Sequence, residues 1–223
     1  MKKKTKHGLF AALLCLAAFA LWTLLLRTVD VRPIGPGGSL VGLAGLNSLV
    51  HRHLGVCMPL YTVTDWLGHV PIAVALGFAL LGLVQWIRRR HFWQVDRSIL
   101  VLGGFYLVLA AVYVLFEYVV INRRPVLING YLEASYPSST TLLVMCVMPT
   151  ALMQWRARIR NGAMRHTVTW LSIAFIAFMV IGRLCSGVHW VTDIIGGGLL
   201  SAGLVALYAH TVQALHIQSG EGT

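Results

Sequence analysis

The stretch GRLCSGVHWVTD, residues 182–193, separates two long apolar runs in the C-terminal part of the sequence. The runs cover about 167–184 and 192–213, close to the length of about 20 apolar residues that crosses the hydrocarbon of a bilayer. Ionisable side chains at this depth are costly and mark functional sites by default. We therefore predict two crossings joined by a short turn in which Arg183, His189 and Asp193 carry the chemistry.

The composition extends this interpretation to the whole chain. Hydrophobic residues make up 57% of the 223 positions and charged residues only 11%, a balance that excludes an ordinary soluble domain. The first apolar run also fits a signal peptide, but its length and the lack of a cleavage motif before Asp30 favour a helix. We predict an all-α, polytopic membrane protein with six crossings at about 8–29, 69–87, 98–121, 140–155, 167–184 and 192–213.

The basic residues predict the orientation, because cytoplasmic loops of membrane proteins retain Lys and Arg. Twelve of the eighteen fall at the N-terminus and in alternate loops, around 88–97 and 156–165. Both termini are therefore expected in the cytoplasm, in a plasma or bacterial inner membrane. Anionic lipid explains the net charge of +11. No nucleic acid is expected as a partner.

The segment between the first two crossings predicts a helix of another kind. Residues 41–54 place apolar side chains at helical spacing after a Pro- and Gly-rich break, which is typical of an amphipathic helix on the outer surface. His51 and His53 do not share a helical face, so a metal site is not expected there. Asp65 is expected to cap the second crossing. We treat residues 1–223 as one domain, with the motifs within about 98–214.

Three polar clusters lie at the same ends of the last four predicted crossings: FEYVVINRRP (116–125), YPSSTT (136–141) and the 182–193 stretch. Guanidinium groups bind phosphate with paired N–H donors, which fits Arg124 and Arg183. Ser138 and Ser139, after a Pro at a helix start, expose free backbone N–H groups to an anion. The clusters together predict a phosphate site.

These clusters, in this order, resemble the signature of the type 2 phosphatidic acid phosphatase (PAP2) family, which also includes the vanadium haloperoxidases. The family's third motif is Ser-Arg, five residues, His, three residues and Asp, and Arg183, His189 and Asp193 reproduce all of it except the Ser. Arg124 and Pro125 match the end of the first motif. The resemblance implies a PAP2-type helical bundle.

The resemblance also implies roles for these residues. His189 would attack phosphorus and form a phosphohistidine, with Asp193 orienting the imidazole, while Arg124 and Arg183 hold the phosphate oxygens. No metal or organic cofactor is implied. The expected activity is hydrolysis of a lipid phosphomonoester or diphosphate at the outer or periplasmic face, so the partners are a phosphorylated lipid substrate and the membrane lipids.

Two positions depart from the family pattern. The Lys of the first motif falls on Glu117, and the His of the second motif, which protonates the leaving group, falls on Thr140. Thr does not donate a proton near neutral pH. Either a better leaving group compensates, which favours an undecaprenyl diphosphate-like substrate, or Glu117 or Glu133 serves as the acid. Glu117 could instead form a salt bridge with Arg123 or Arg124.

Two alternatives to an active phosphatase stay open. A catalytically degenerate PAP2-like protein would bind or move phosphorylated lipids without turnover. A membrane scaffold is the third interpretation, but it leaves the clustering of Arg, His and Asp at one end of the crossings unexplained.

Overall fold

The computed structural model describes residues 2–220, with side chains for residues 7–215. Its described residues form eight α-helices and two short 3-10 turns. Three isolated β-bridges are present, and the described residues form no sheet. The helices are α1 (Lys2–Thr28), α2 (Ala44–Leu54), α3 (Met58–Leu67), α4 (His69–Arg89), α5 (Arg97–Tyr118), α6 (Ser139–Arg158), α7 (Gly162–Cys185) and α8 (Val191–Gly220).

The predicted class, an all-α polytopic membrane protein, is confirmed. Five segments of the described chain are long and apolar enough to cross a bilayer, with α3 and α4 counted as one. They are His7–Thr28, Met58–Arg89, Arg97–Tyr118, Gly162–Cys185 and Val191–Leu215. In the first four segments at most 22% of the most apolar window is buried, as expected where lipid is the solvent, whereas 56% of that of Val191–Leu215 is buried inside the bundle.

The fourth predicted crossing, 140–155, corresponds to α6, which is not among these five segments. This helix contacts α4, α5, α7 and α8, and half of its residues are buried. Because its neighbours cover it, α6 tolerates polar side chains such as Thr150 and Gln154 that a lipid-facing helix could not carry. The six crossings predicted from apolar runs thus correspond to five apolar spans and a central helix, α6, which is more polar than they are.

The helix predicted between the first two crossings is present as α2. Its Asn47 is fully buried and donates to the Thr192 hydroxyl at 3.0 Å, which ties α2 to the start of α8. The prediction for Asp65 was wrong, because α3 was not recognised as a helix. Asp65 lies in the last turn of α3, and the α4 N-cap is Gly68 without a side-chain hydrogen bond.

Close packing between helices fixes the bundle. In lipid, helix association depends on packing and buried polar contacts more than on removal of apolar surface from water. A Cβ at Gly203 of α8 would come within 2.7 Å of the Leu16 side chain of α1, so only Gly allows the two helices to approach this closely. A buried cluster at the centre joins α5, α6 and α8 through residues such as Leu109, Cys146 and Leu204.

The turn between α7 and α8 brings the polar stretch to one end of this bundle. Gly187 adopts φ +68°, a conformation that suits Gly, and a Cβ there would lie 1.9 Å from the Gly55 carbonyl oxygen. The same end of the bundle holds the start of α4, the end of α5 and the start of α6, since residues from all three helix ends line one cavity with Arg183 and His189. All three polar clusters therefore meet there.

Candidate active site

His189 and Asp193 are buried side by side at the start of α8. His189 Nδ1 lies 3.6 Å from Asp193 Oδ2, longer than a hydrogen bond but within ion-pair range. On the other side of the ring, Arg124 Nη1 lies 3.3 Å from His189 Nε2. The predicted nucleophile therefore has its carboxylate partner at one nitrogen and a guanidinium at the other.

Asp193 is held in place by two further donors. Its Oδ2 accepts from the Trp190 backbone N–H at 3.0 Å, which also caps the first turn of α8. Its Oδ1 accepts from Asn122 Nδ2 at 3.3 Å, and the side chain is fully buried. These bonds keep the carboxylate oriented towards His189, as outer partners commonly do for a functional His.

Arg124 reaches the site from the loop between α5 and α6. Its backbone N–H donates to the Glu133 carbonyl at 3.1 Å, so the two sides of the loop are paired. Its Nε lies 2.9 Å from Glu133 Oε2, although the N–H does not point at that oxygen. Arg124 itself is buried, while the Glu133 side chain is 45% exposed. The ion pair is thus open to solvent on its acidic side.

Arg183 approaches from the end of α7 and is held by α3. Its Nη2 donates to Asp65 Oδ1 at 3.1 Å, and its Nη1 lies 3.4 Å from the Thr64 hydroxyl. The guanidinium carbon stacks 4.9 Å from the centre of the Tyr61 ring. With only 2% of its surface exposed, Arg183 is fixed by these contacts in one orientation.

The start of α6 contributes the second polar cluster. The Ser138 hydroxyl is the N-cap: it accepts from Thr141 N at 3.5 Å and from Thr141 Oγ1 at 3.1 Å. Ser138 is fully buried and is not part of the cavity wall. Ser139 and Thr140, at the first turn of the helix, do line the cavity. The structure thus separates the two predicted serine donors, and only Ser139 faces the open space.

The two acidic candidates occupy different places. Glu133 pairs with Arg124, whereas Glu117, one residue before the end of α5, lies at the cavity wall and interacts with the Tyr113 hydroxyl. The predicted salt bridge from Glu117 to Arg123 or Arg124 is absent from the described residues, because Arg124 turns towards Glu133 instead. Arg123 donates to the Leu132 carbonyl at 2.9 Å.

These groups surround a cavity of about 720 Å³ at the end of the bundle. The predicted residues that line it are His189, both arginines, Ser139, Thr140 and the two glutamates. Among the described residues, Arg183 Nε is a buried donor without a hydrogen-bond partner. Buried polar groups are normally satisfied, so an unused guanidinium N–H beside a cavity favours an anionic ligand.

The electrostatics of the site suit nucleophilic attack by His189. Burial lowers the pKa of His189 to about 4, the Asp193 carboxylate acts in the opposite direction, and the Arg124 guanidinium adds to the lowering. The imidazole is therefore neutral at neutral pH. With its proton on Nδ1, towards Asp193, Nε2 carries the lone pair, which here accepts from Arg124 Nη1 at the cavity wall and becomes the nucleophile when that guanidinium turns to a bound anion.

Several residues of the site were missed in the sequence. Asn122 orients Asp193, and Tyr61, Thr64 and Asp65 hold Arg183. Asn122 directly precedes the Arg-Arg-Pro run, which was a usable signal. No sequence signal marked the α3 residues, because only the packing of α3 against α7 brings them to the site. His69, at the start of α4, also lines the cavity.

Comparison with known proteins supports the family resemblance and the fold. The sequence model of the PAP2 superfamily matches residues 117–217, which include all three polar clusters. The resemblance drawn from the motifs is confirmed over this segment. The transmembrane PAP2 type phosphatidylglycerolphosphate phosphatase from Bacillus subtilis shares the fold, with a TM-score of 0.62 and 16% identity over 92% of this chain and 97% of that chain. No curated protein matches the sequence.

Proposed function

We propose that this membrane protein is a lipid phosphatase that works through a phosphohistidine, in line with the match of residues 117–217 to the PAP2 superfamily model. The observation that carries the proposal is the position of His189 Nε2, 3.3 Å from Arg124 Nη1 at the wall of the cavity. A nucleophile beside a guanidinium is arranged for attack on a bound phosphate, and the Asp193 carboxylate stabilises the positive charge that develops on the imidazole.

In the proposed reaction, Arg124 and Arg183 bind the phosphate oxygens in place of their present carboxylate partners. His189 Nε2 attacks phosphorus, the N–P bond forms and the bond to the leaving oxygen breaks. Water then hydrolyses the phosphohistidine and releases inorganic phosphate. Positioning and charge stabilisation supply most of the catalysis in phosphoryl transfer.

The proposed substrate is a lipid phosphomonoester or diphosphate. Thr140 stands where the family His protonates the leaving group, so on this position alone a diphosphate is favoured, because it expels a phosphate. An isoprenoid diphosphate such as undecaprenyl diphosphate has this chemistry. The phosphatase that shares the fold is described as acting on phosphatidylglycerolphosphate, a monoester, and this keeps monoesters among the candidates.

We also propose that the described chain is one domain with its site on the outer face of a plasma or inner membrane. Helix α1, outside the family match, packs along α8 within it, which supports a single unit. The site lies at the end of the bundle opposite the basic loops around Arg88 and Arg158. Both termini would then be cytoplasmic.

The proposal is tested by measuring phosphate release from a lipid monophosphate and a lipid diphosphate by the detergent-solubilised protein. Turnover of at least one is expected. Binding of a phosphorylated lipid without phosphate release would instead identify the degenerate, lipid-binding member that Thr140 also allows.

The orientation is tested by labelling with an impermeant thiol reagent in intact cells. A Cys at Tyr131, which is 75% exposed in the loop beside Arg124, should react, whereas a Cys at Trp93, 78% exposed at the opposite end, should not. The background should lack Cys57 and Cys185, because both lie at the site end of the bundle. The reverse labelling pattern would contradict an outward-facing site.

A further inference from the structure

The cavity contains a second imidazole close to the position where the family's acid is missing. We propose that His69, the first residue of α4, is the general acid that protonates the leaving oxygen during phosphoryl transfer to His189. The inference rests on the proposed phosphatase function and adds to it a catalytic residue from a helix that carries none of the three motifs. It also accounts for turnover of lipid monophosphates although Thr140 replaces the family's acid.

The first support is the place of His69 in the fold. His69 lines the same cavity as Arg124, Arg183 and His189. The preceding residue packs against the substituted position, since a Cβ at Gly68 would lie 3.6 Å from Thr140 Cγ2. The α3–α4 junction therefore lies beside the threonine that cannot donate a proton, and its next residue, His69, lines the same cavity.

The second support is the orientation of the ring. His69 Nδ1 lies 3.0 Å from the Trp66 carbonyl oxygen, which can only accept, so Nδ1 carries a hydrogen. The ring also packs 5.9 Å from the Trp66 ring. With Nδ1 occupied, Nε2 is the nitrogen left for proton exchange with a ligand. His69 is exposed, so solvent can restore its proton.

The other proton-exchanging groups in the cavity wall are less suited to this step. Asp65 and Glu133 each contact an arginine, so both already serve as acceptors. The Glu117 carboxylate is engaged with the Tyr113 hydroxyl. His189 is the nucleophile. Of the two described histidines that line the cavity, His69 is the one that does not attack phosphorus, so its imidazole is left for proton exchange.

The proposed chemistry balances over the two steps. While His189 Nε2 forms its bond to phosphorus, the proton on His69 Nε2 moves to the leaving oxygen and an alcohol departs. Neutral His69 then accepts a proton from the water that attacks the phosphohistidine, so the N–P bond breaks and inorganic phosphate forms. His69 ends protonated, as it began, and the net reaction is hydrolysis.

The test compares leaving groups in the full-length protein. His69→Asn removes the acid, while its amide N–H can still donate to the Trp66 carbonyl. Turnover of a lipid monophosphate, which expels an alkoxide, should fall by about 100-fold. Turnover of p-nitrophenyl phosphate and of a lipid diphosphate, whose leaving groups need little protonation, should fall much less. Adding Thr140→His to His69→Asn should restore monophosphate turnover by returning an imidazole to the neighbouring position.

A matched control is His53→Asn in α2, because His53 is exposed, its Nδ1 also contacts a backbone carbonyl at 2.8 Å, and it lies outside the cavity. It should not change turnover of any substrate. Equal losses on all substrates in His69→Asn would indicate a structural role and overturn the inference, as would no loss on the monophosphate. A wild-type protein that hydrolyses none of the substrates would contradict the phosphatase proposal itself.

Discussion

Two groups of charged and polar side chains lie at opposite ends of the bundle and differ in what they surround. At the end away from the site, Asp96 accepts from Gln85 at 2.8 Å and from Arg89 at 3.1 Å, with Arg158 at 3.7 Å. We call these four residues the Asp96 cluster. At the other end, the site arginines and His189 line a cavity and are almost completely buried.

The two groups differ in how completely their polar side chains are paired with one another. In the Asp96 cluster the charges meet one another at the surface, with the side chains of Arg89 and Asp96 44% and 39% exposed. In the site, Arg183 Nε and His189 Nδ1 are buried and have no hydrogen-bond partner among the described residues. Exposed ion pairs contribute little free energy, whereas buried unused donors are costly. The first arrangement closes a loop. In the second, Arg183 Nε, which has no hydrogen-bond partner among the described residues, is buried in a side chain that lines the cavity.

The largest expected effect separates the two ends directly. His189→Ala should reduce phosphate release by more than about a thousandfold, because the cavity has no other nucleophile positioned for attack. Asp96→Ala should leave turnover within about twofold, since the Asp96 cluster touches none of the reacting groups. The acid-labile phosphoenzyme expected on rapid quenching should be absent only from the His189 variant. Full turnover in the His189→Ala variant would contradict the proposed mechanism.

The second largest effect on turnover is expected from replacing a site arginine with lysine. Arg183→Lys keeps the charge but loses the planar set of donors that holds Asp65 and reaches into the cavity, so turnover should fall by about 100-fold. Arg158→Lys makes the same exchange in the Asp96 cluster and should change turnover by less than about twofold. Equal effects at both ends, measured on lipid phosphate at saturation, would mean that the site arginine does not contact the phosphate.

The pH dependence of turnover tests the burial of His189. The folded protein lowers the pKa of His189 to about 4, below the ordinary value of about 6.5. Its neutral, nucleophilic form therefore persists as the pH falls, and is lost only near pH 4. After correction for substrate ionisation, the acid limb of kcat/KM should lie near pH 4, and a limb near pH 6.5 would contradict a buried neutral imidazole.

The same shift has a consequence for stability, with the sign fixed by linkage. Because the unfolded chain binds a proton at His189 at a higher pH than the folded chain does, the free energy of unfolding falls as the pH drops from about 6.5 towards about 4. In the His189→Ala variant this part of the pH dependence should disappear from thermal unfolding in detergent. An unchanged profile would show that other groups cause it.

The smallest effect is expected from the Asp96 cluster itself. Asp96→Ala removes partly exposed contacts, so the free energy of unfolding should fall by about 1 kcal/mol or less. The midpoint of thermal unfolding in detergent should shift by no more than a few degrees. A much larger shift would mean that the two ends differ less than their exposure indicates.

The sequence predicted most of the fold because lipid imposes a simple requirement on it. A helix that faces hydrocarbon needs a long apolar run, and such runs gave the positions of α1, α4, α5, α7 and α8 to within a few residues at most ends. Helix α6 was found as well, although it is too polar to rank among the apolar spans. The prediction failed at α3, because the second crossing was begun at residue 69 and residues 58–67, which carry polar side chains among the apolar ones, were assigned to no helix.

The site was predicted only where its residues follow one another in a motif. His189 and Asp193 are one helical turn apart, so their proximity was readable from their spacing. Arg124 was found by its family motif. The role of Asp65 was not found, since it reaches the site from α3, far from the motifs along the chain, and Asn122 was overlooked although it stands two residues before Arg124.

The sequence by itself determined that this is a helical membrane protein, and where its polar motifs stand along the chain, because hydropathy and short-range spacing are local properties. Only the tertiary structure decided which carboxylate faces which arginine, that Ser138 caps α6 while Ser139 lines the cavity, and that His69 and Thr140 line the same cavity. These are contacts between helices far apart in sequence, and they depend on how the helices pack, which no local pattern encodes.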